Sequence, residues 1–224
     1  MRRGVEEIGF ADHDRYADLF DFPALSQAQV AYPGIKVRRG IEVDSVPGRQ
    51  GEVRALLGTL DLDYAIGSVH SIGGWGIDDP RQVKTWEERD VDEVYGEYYA
   101  LLARAASTRL FQVIGHLDLP KVFGYRPKGD ASRYAEPAIR AIRQAGCAIE
   151  VNTNGNYRPA GEMYPSREVL DACFAAGIPV TLGSDAHVPE NAGRDIALAR
   201  DLAKQVGYTR LATFTGGKRV MQAI

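Results

Sequence analysis

The sequence predicts an α/β fold in which a parallel sheet carries helices on its outside. Two observations lead there. Short runs rich in Val, Ile, Leu and Phe alternate with longer amphipathic segments along the chain, and nearly every apolar run ends in a side chain able to bind metal.

The apolar runs cover residues 8–11, 37–43, 64–69, 111–115, 148–152 and 179–183, and their length and β-branched content read as buried strands. Helical periodicity occupies 92–106, 133–145, 166–175 and 191–206, with weaker stretches at 23–32 and 50–57. Gly146, Gly177 and Gly207 each follow an amphipathic run, as helix stop signals do, and the first two lead into apolar strands. Such alternation implies βαβ units, closed as a barrel or open and doubly wound. The polar residues at the strand ends favour the barrel, whose active sites form at that mouth. No Pro/Ser-rich linker divides the chain, so residues 1–224 read as a single domain.

Hydrophobic residues make up 45% and charged residues 25% of the 224, ordinary values for a folded protein. A net charge of -3 and a pI near 5.8 argue against nucleic acid as a partner and leave a small phosphorylated molecule open. No apolar stretch reaches the roughly 18 residues of a membrane span, and no apolar signal region follows Met1. No membrane partner and a cytoplasmic location are therefore expected. Cys147 and Cys173 form no CxxC pair and read as buried thiols. Tyr95, Tyr98 and Tyr99, on one helical stretch, are expected to pack within the barrel; the sequence leaves the oligomeric state open.

The strand ends carry the chemistry. In order they are Asp12-His13-Asp14, Glu42-Val43-Asp44, Gly67-Ser68-Val69-His70, Gly115-His116-Leu117-Asp118, Glu150-Val151-Asn152-Thr153 and Gly183-Ser184-Asp185-Ala186-His187. All 4 histidines lie at these ends. Imidazole nitrogen with carboxylate oxygen suits Zn, Mn or Fe(II), and the lack of a cysteine cluster argues for a catalytic rather than a closed structural site. A carboxylate such as Glu42 can bridge two such ions, which together activate water for attack on phosphorus or carbon. A hydrolase is the expected class.

These motifs, in this order, resemble the PHP (polymerase and histidinol phosphatase) domain family and, within it, the monofunctional histidinol-phosphate phosphatases. The resemblance implies a distorted (β/α)7 TIM-like barrel of the PHP type holding two to three divalent metal ions (Zn, Mn or Fe). It implies that Glu42 bridges two metals, that His70 and His116 complete one site, that Asp185 belongs to the neighbouring site, and that His13 with His187 serves a third. Glu42, Asp185 and His187 are the implied catalytic groups. The implied reaction is hydrolysis of L-histidinol phosphate to L-histidinol and phosphate, in histidine biosynthesis; a PHP phosphoesterase of another specificity is the alternative.

The stretch from Glu150-Val151-Asn152-Thr153-Asn154 through Tyr157-Arg158-Pro159 to Glu162-Met163-Tyr164-Pro165-Ser166 is similar to the phosphatase subgroup. Within it Arg158 is the candidate phosphate clamp, since a guanidinium pairs two phosphate oxygens. Trp75, in the glycine-rich loop after His70, is the candidate wall for the imidazole side of the substrate. The chain departs from the family at its start. The family's opening strand, ending in a His-x-His motif with a further histidine soon after, has no counterpart, and Met1-Arg2-Arg3-Gly4 resembles the end of the first barrel helix. About 30 residues of family sequence, the first β/α unit, are expected to be absent. The Glu42, His70 and His116 site then keeps its ligands while the other two lose some, an expectation of impaired catalysis or of an inactive metal-binding remnant.

Overall fold

The computed structural model describes residues 4–224, so the expected helix end at Met1-Arg2-Arg3 lies outside the described residues. Six strands form one sheet in the order β1 (Glu7–Phe10), β2 (Lys36–Asp44), β3 (Tyr64–Ser68), β6 (Val113–Ile114), β7 (Ala148–Asn152) and β8 (Val180–Gly183). Every neighbouring pair is parallel, and the sheet curls into a half-barrel. These are the six runs that the apolar pattern marks. Parallel pairing needs a crossover each time, and α1 (Phe22–Ala31), α2 (Gln50–Thr59), α3 (Val91–Ser107), α4 (Ser132–Ala145) and α5 (Arg167–Ala175) supply them.

Burial follows position in the sheet. All five residues of the inner strand β7 are buried, as a strand covered on both faces requires, whereas β1, at the edge, ends exposed at Gly9 and Phe10. Helix α3 presents Val94, Tyr95, Tyr98, Tyr99 and Leu102 to the core at i, i+3, i+4 spacing, so the three tyrosines pack inside the chain as expected. Its start is fixed by Asp90, whose carboxylate accepts from the Asp92 and Glu93 N–H groups. Helix α4 stops at Gly146 (φ 76°), whose N–H closes on the Ile142 and Arg143 carbonyls before the chain enters β7. Cys147 and Cys173 are both buried, Cys147 bonding the Phe111 carbonyl.

Two differences from expectation bear on the site. The last helix, α6 (Ile196–Val206), starts later than its periodicity suggests, because Pro189–Asn191 form a separate turn and Asp195 takes a left-handed conformation (φ 58°). Residues beyond it form an unanticipated antiparallel hairpin of β9 (Arg210–Thr215) and β10 (Lys218–Ala223). Its two-residue turn, Gly216-Gly217, has both φ angles positive, the conformation that favours glycine in tight hairpins. A smaller hairpin, β4 (Ser71–Ile72) and β5 (Trp75–Gly76), follows β3. No helix among the described residues is long and apolar enough to cross a membrane.

Candidate metal centre

The strand ends converge. Side chains on β2 alternate between faces, which places Glu42 and Asp44 on one face. Pairing with the preceding segment continues past β1: the Glu42 N–H donates to the Asp12 carbonyl at 2.9 Å, and His13 bridges to Glu42. His70 leaves the end of β3 and His116 the end of β6. The result is a cluster in which Glu42 Oε1 lies 3.1 Å from His116 Nε2 and 3.5 Å from His70 Nε2, while Glu42 Oε2 lies 3.7 Å from His13 Nε2. The two Nε2 atoms of His70 and His116 face each other at 3.1 Å.

This donor set fits a divalent cation. One ligand atom each from His13, Glu42 and His70 lie within 4.8 Å of one another. Facing imidazole nitrogens beside a carboxylate leave lone pairs that few protons can satisfy, and the Nδ1 atoms of His13 and His116 are buried without a partner. The electrostatics agree. Burial alone would raise the Glu42 pKa, but the His116 hydrogen bond and the charges of His116, His70 and His13 hold it well below the usual carboxylate range. Burial opposes charge on His116, yet Glu42, with Asp185 and Glu150 behind it, pushes its pKa up to about 10. His13 is moved down, by burial above all.

A second layer holds Asp185, which follows β8 in a left-handed conformation (φ 47°). Its Oδ2 accepts from the side-chain amides of Asn152 (3.3 Å) and Asn154 (3.1 Å). Asn152 also donates to Glu150 Oε2 at 3.0 Å, and that same oxygen receives the His116 backbone N–H at 3.1 Å. Glu150 thus ties the His116 strand end to the Asp185 strand end. It occupies the space where a Cβ at position 183 would sit, which is why β8 ends in glycine. Burial, then the Asp185 charge, raise the Glu150 pKa. His187 lies outside the His13, Glu42 and His70 group: its side chain is 68% exposed and its Nδ1 lies 3.1 Å from the Asp185 carbonyl oxygen.

The candidate substrate residues fare differently. Arg158 is exposed at the end of the turn Thr153–Tyr157, where its charge reaches the Tyr164 hydroxyl. Trp75 is 8% exposed, packs edge-on against Trp86, and donates from its indole nitrogen to the Gln82 carbonyl. Two groups have a part that the sequence does not assign: Asp44, visible only as a member of its strand end, and Arg194. Asp44 contacts His70 directly, with Oδ1 3.0 Å from Nδ1. Arg194 stacks over the Tyr157 ring at 3.3 Å, donates to Asn154 and Asn191, and keeps a buried Nε without a partner. Its place inside the periodic run 191–206 hid it; the Gly193-Arg194-Asp195 sequence shortly after a ligand-bearing strand end was the available signal.

The loops are pinned from behind. The Asn152 and Tyr164 backbones exchange hydrogen bonds at 2.7 and 2.9 Å, folding the segment before α5 over the end of β7. Fully buried Lys121 reaches from the loop after His116 to Asp118 (3.0 Å), Glu162 (3.2 Å) and the Met163 carbonyl (2.8 Å).

Comparison with known proteins settles the family. The family model for the PHP domain matches residues 1–154. The chain belongs to the PHP domain family. Its relatives include a probable histidinol-phosphatase of Deinococcus radiodurans, 38% identical over 98% of this chain and 88% of that protein. A histidinol-phosphatase of Lactococcus lactis is 29% identical over 97% of this chain and 86% of that protein. A crystal structure of the Lactococcus lactis histidinol phosphate phosphatase, complexed with zinc, L-histidinol and phosphate, matches this PHP chain with a TM-score of 0.83 at 25% identity, covering 98% of this chain and 89% of that one.

Proposed function

We propose that this PHP protein is a metal-dependent phosphomonoesterase that hydrolyses L-histidinol phosphate to L-histidinol and phosphate. The observation that carries the reading is the convergence of Glu42 with His13, His70 and His116 at the mouth of the sheet, in a chain whose relatives are named histidinol-phosphatases. The reading takes residues 1–224 as one domain built on the (β/α)7 plan.

In this reading Glu42, His13, His70, His116, Asp185 and His187 would hold two to three divalent ions, Zn, Mn or Fe(II). Such ions supply Lewis-acid activation of water and offset charge on phosphoryl oxygens. The chain's own residues do the rest. Arg158 and Arg194 supply planar guanidinium donors for the phosphate, Arg194 being steered by Asn154 and Tyr157. Because a carbonyl only accepts, the hydrogen bond to the Asp185 carbonyl puts the His187 proton on Nδ1 and leaves the Nε2 lone pair as the group it offers to an ion. Trp75 sits on the loop after His70 as the wall for the imidazole end of the substrate.

The test is a substrate comparison: phosphate release from L-histidinol phosphate, from p-nitrophenyl phosphate and from a single-stranded oligonucleotide, each with Zn or Mn added. The reading expects the highest kcat/KM for L-histidinol phosphate and no effect of salt on the small esters. Preference for the oligonucleotide, falling steeply with salt, would place the chain among PHP phosphoesterases of another specificity.

A further inference from the structure

We infer that Asp44 is a positioning residue: it fixes the proton of the His70 ring on Nδ1 and so presents the Nε2 lone pair to Glu42 and His116. Its functional consequence rests on the metal reading above; its geometry does not.

Asp44 ends β2, two residues after Glu42, so both carboxylates project from the same face of the strand. Its Oδ1 takes two N–H groups of the same residue, the His70 ring at Nδ1 (3.0 Å) and the His70 backbone (3.3 Å). A carboxylate in that position only accepts, so Nδ1 carries the proton and the lone pair of the neutral ring sits on Nε2. That is the atom 3.1 Å from His116 Nε2 and 3.5 Å from Glu42 Oε1. His13 and His116 lack this arrangement, since their Nδ1 atoms are buried with no partner. Asp44 is itself held in place: its backbone N–H donates to Asp14 Oδ1 at 3.4 Å, and Arg49 grips Asp14 Oδ2 at 3.1 Å.

Asp44 stands outside the group of His13, Glu42 and His70, and its Oδ1 is already occupied by two donors. It therefore acts through His70. Carboxylates placed behind metal-binding histidines fix tautomer and ring orientation, and removing one costs about 10–100-fold in metal affinity.

The experiment compares wild type, Asp44→Ala and Asp44→Asn. Two-bond proton–nitrogen NMR of metal-free protein, at an alkaline pH where His70 is neutral and with His70→Gln for assignment, reads the tautomer. Zinc titration against a competing chelator reads affinity and the number of ions at saturation. The expected result is His70 protonated on Nδ1 in wild type and in Asp44→Asn, which keeps an accepting oxygen, and a shift towards Nε2 protonation in Asp44→Ala. Zinc affinity falls about 10–100-fold in Asp44→Ala with the same number of ions at saturation and an unchanged circular dichroism spectrum. His70 protonated on Nε2 in wild type, an unchanged tautomer in Asp44→Ala, or loss of a whole ion at saturation, which would make Asp44 a ligand, overturns the inference. A wild type that takes up no zinc refutes the metal centre instead, while its tautomer spectrum still decides the role of Asp44.

Discussion

Glu42 Oε1 and His116 Nε2 stand 3.1 Å apart although β3 lies between their strands in the sheet. The contact sets the acid–base behaviour of the metal-free protein. Below the unfolded histidine value of 6.5 the raised His116 contributes its full share of stability, which is lost as pH climbs through about 10. Glu42, depressed from 4.5, contributes above that value and loses its share in acid. The melting-temperature gap between metal-free wild type and Glu42→Gln is therefore expected to be widest between pH 4.5 and 6.5 and to narrow towards pH 10. A gap that ignores pH would show that the pair is not ionised as described.

Arg158 and Arg194 are expected to act on substrate rather than on metal. Replacing either by alanine removes charge-assisted hydrogen bonds to phosphate, so KM rises and kcat/KM falls about 10- to 100-fold at constant metal content. Steady-state kinetics beside metal analysis checks this. Unaltered kinetics for Arg158→Ala would assign the clamp to Arg194 alone.

Gly183→Ala places a methyl group against the Glu150 carboxylate. Because Glu150 also holds the His116 backbone, the substitution is expected to cost about 1–3 kcal/mol in chemical denaturation and to weaken zinc binding together with it. A variant of wild-type stability and zinc affinity would mean that Glu150 relocates freely.

Lys121 and Asp118 form an ion pair with side chains 0% and 1% exposed. Lys121→Met strands the carboxylate, and denaturant unfolding is expected to show a loss of about 3–5 kcal/mol. A loss below about 1 kcal/mol, the scale of an exposed pair, would contradict the reading.

Much of this was legible in the sequence, and what was not has identifiable causes. The six parallel strands announce themselves because inner strands covered on both faces are largely apolar, as Ala148, Ile149 and Val151 of β7 are, the polar Glu150 and Asn152 between and after them belonging to the site. The ligand candidates were visible because His70 and His116 follow directly on such runs, and His13 and His187 follow within a few residues of them. Arg194 was obscured because periodicity continued through a turn that only backbone geometry, with Asp195 at φ 58°, separates from α6. Asp44 stood out only as part of its strand end; its pairing with His70 was not legible because the partner is 26 residues away, and no local pattern reports a contact between neighbouring strand ends. The closing hairpin carries its own signal, Gly216-Gly217 between alternating residues, but it departs from the βαβ alternation that the rest of the chain follows.

The most direct test of the central claim is phosphate release from L-histidinol phosphate by chelator-stripped wild type and Glu42→Gln, before and after adding Mn or Zn. The account predicts wild-type turnover that appears only with metal and a variant that stays at background with it. Turnover in stripped wild type, or undiminished turnover in Glu42→Gln, would contradict a metal centre built on Glu42.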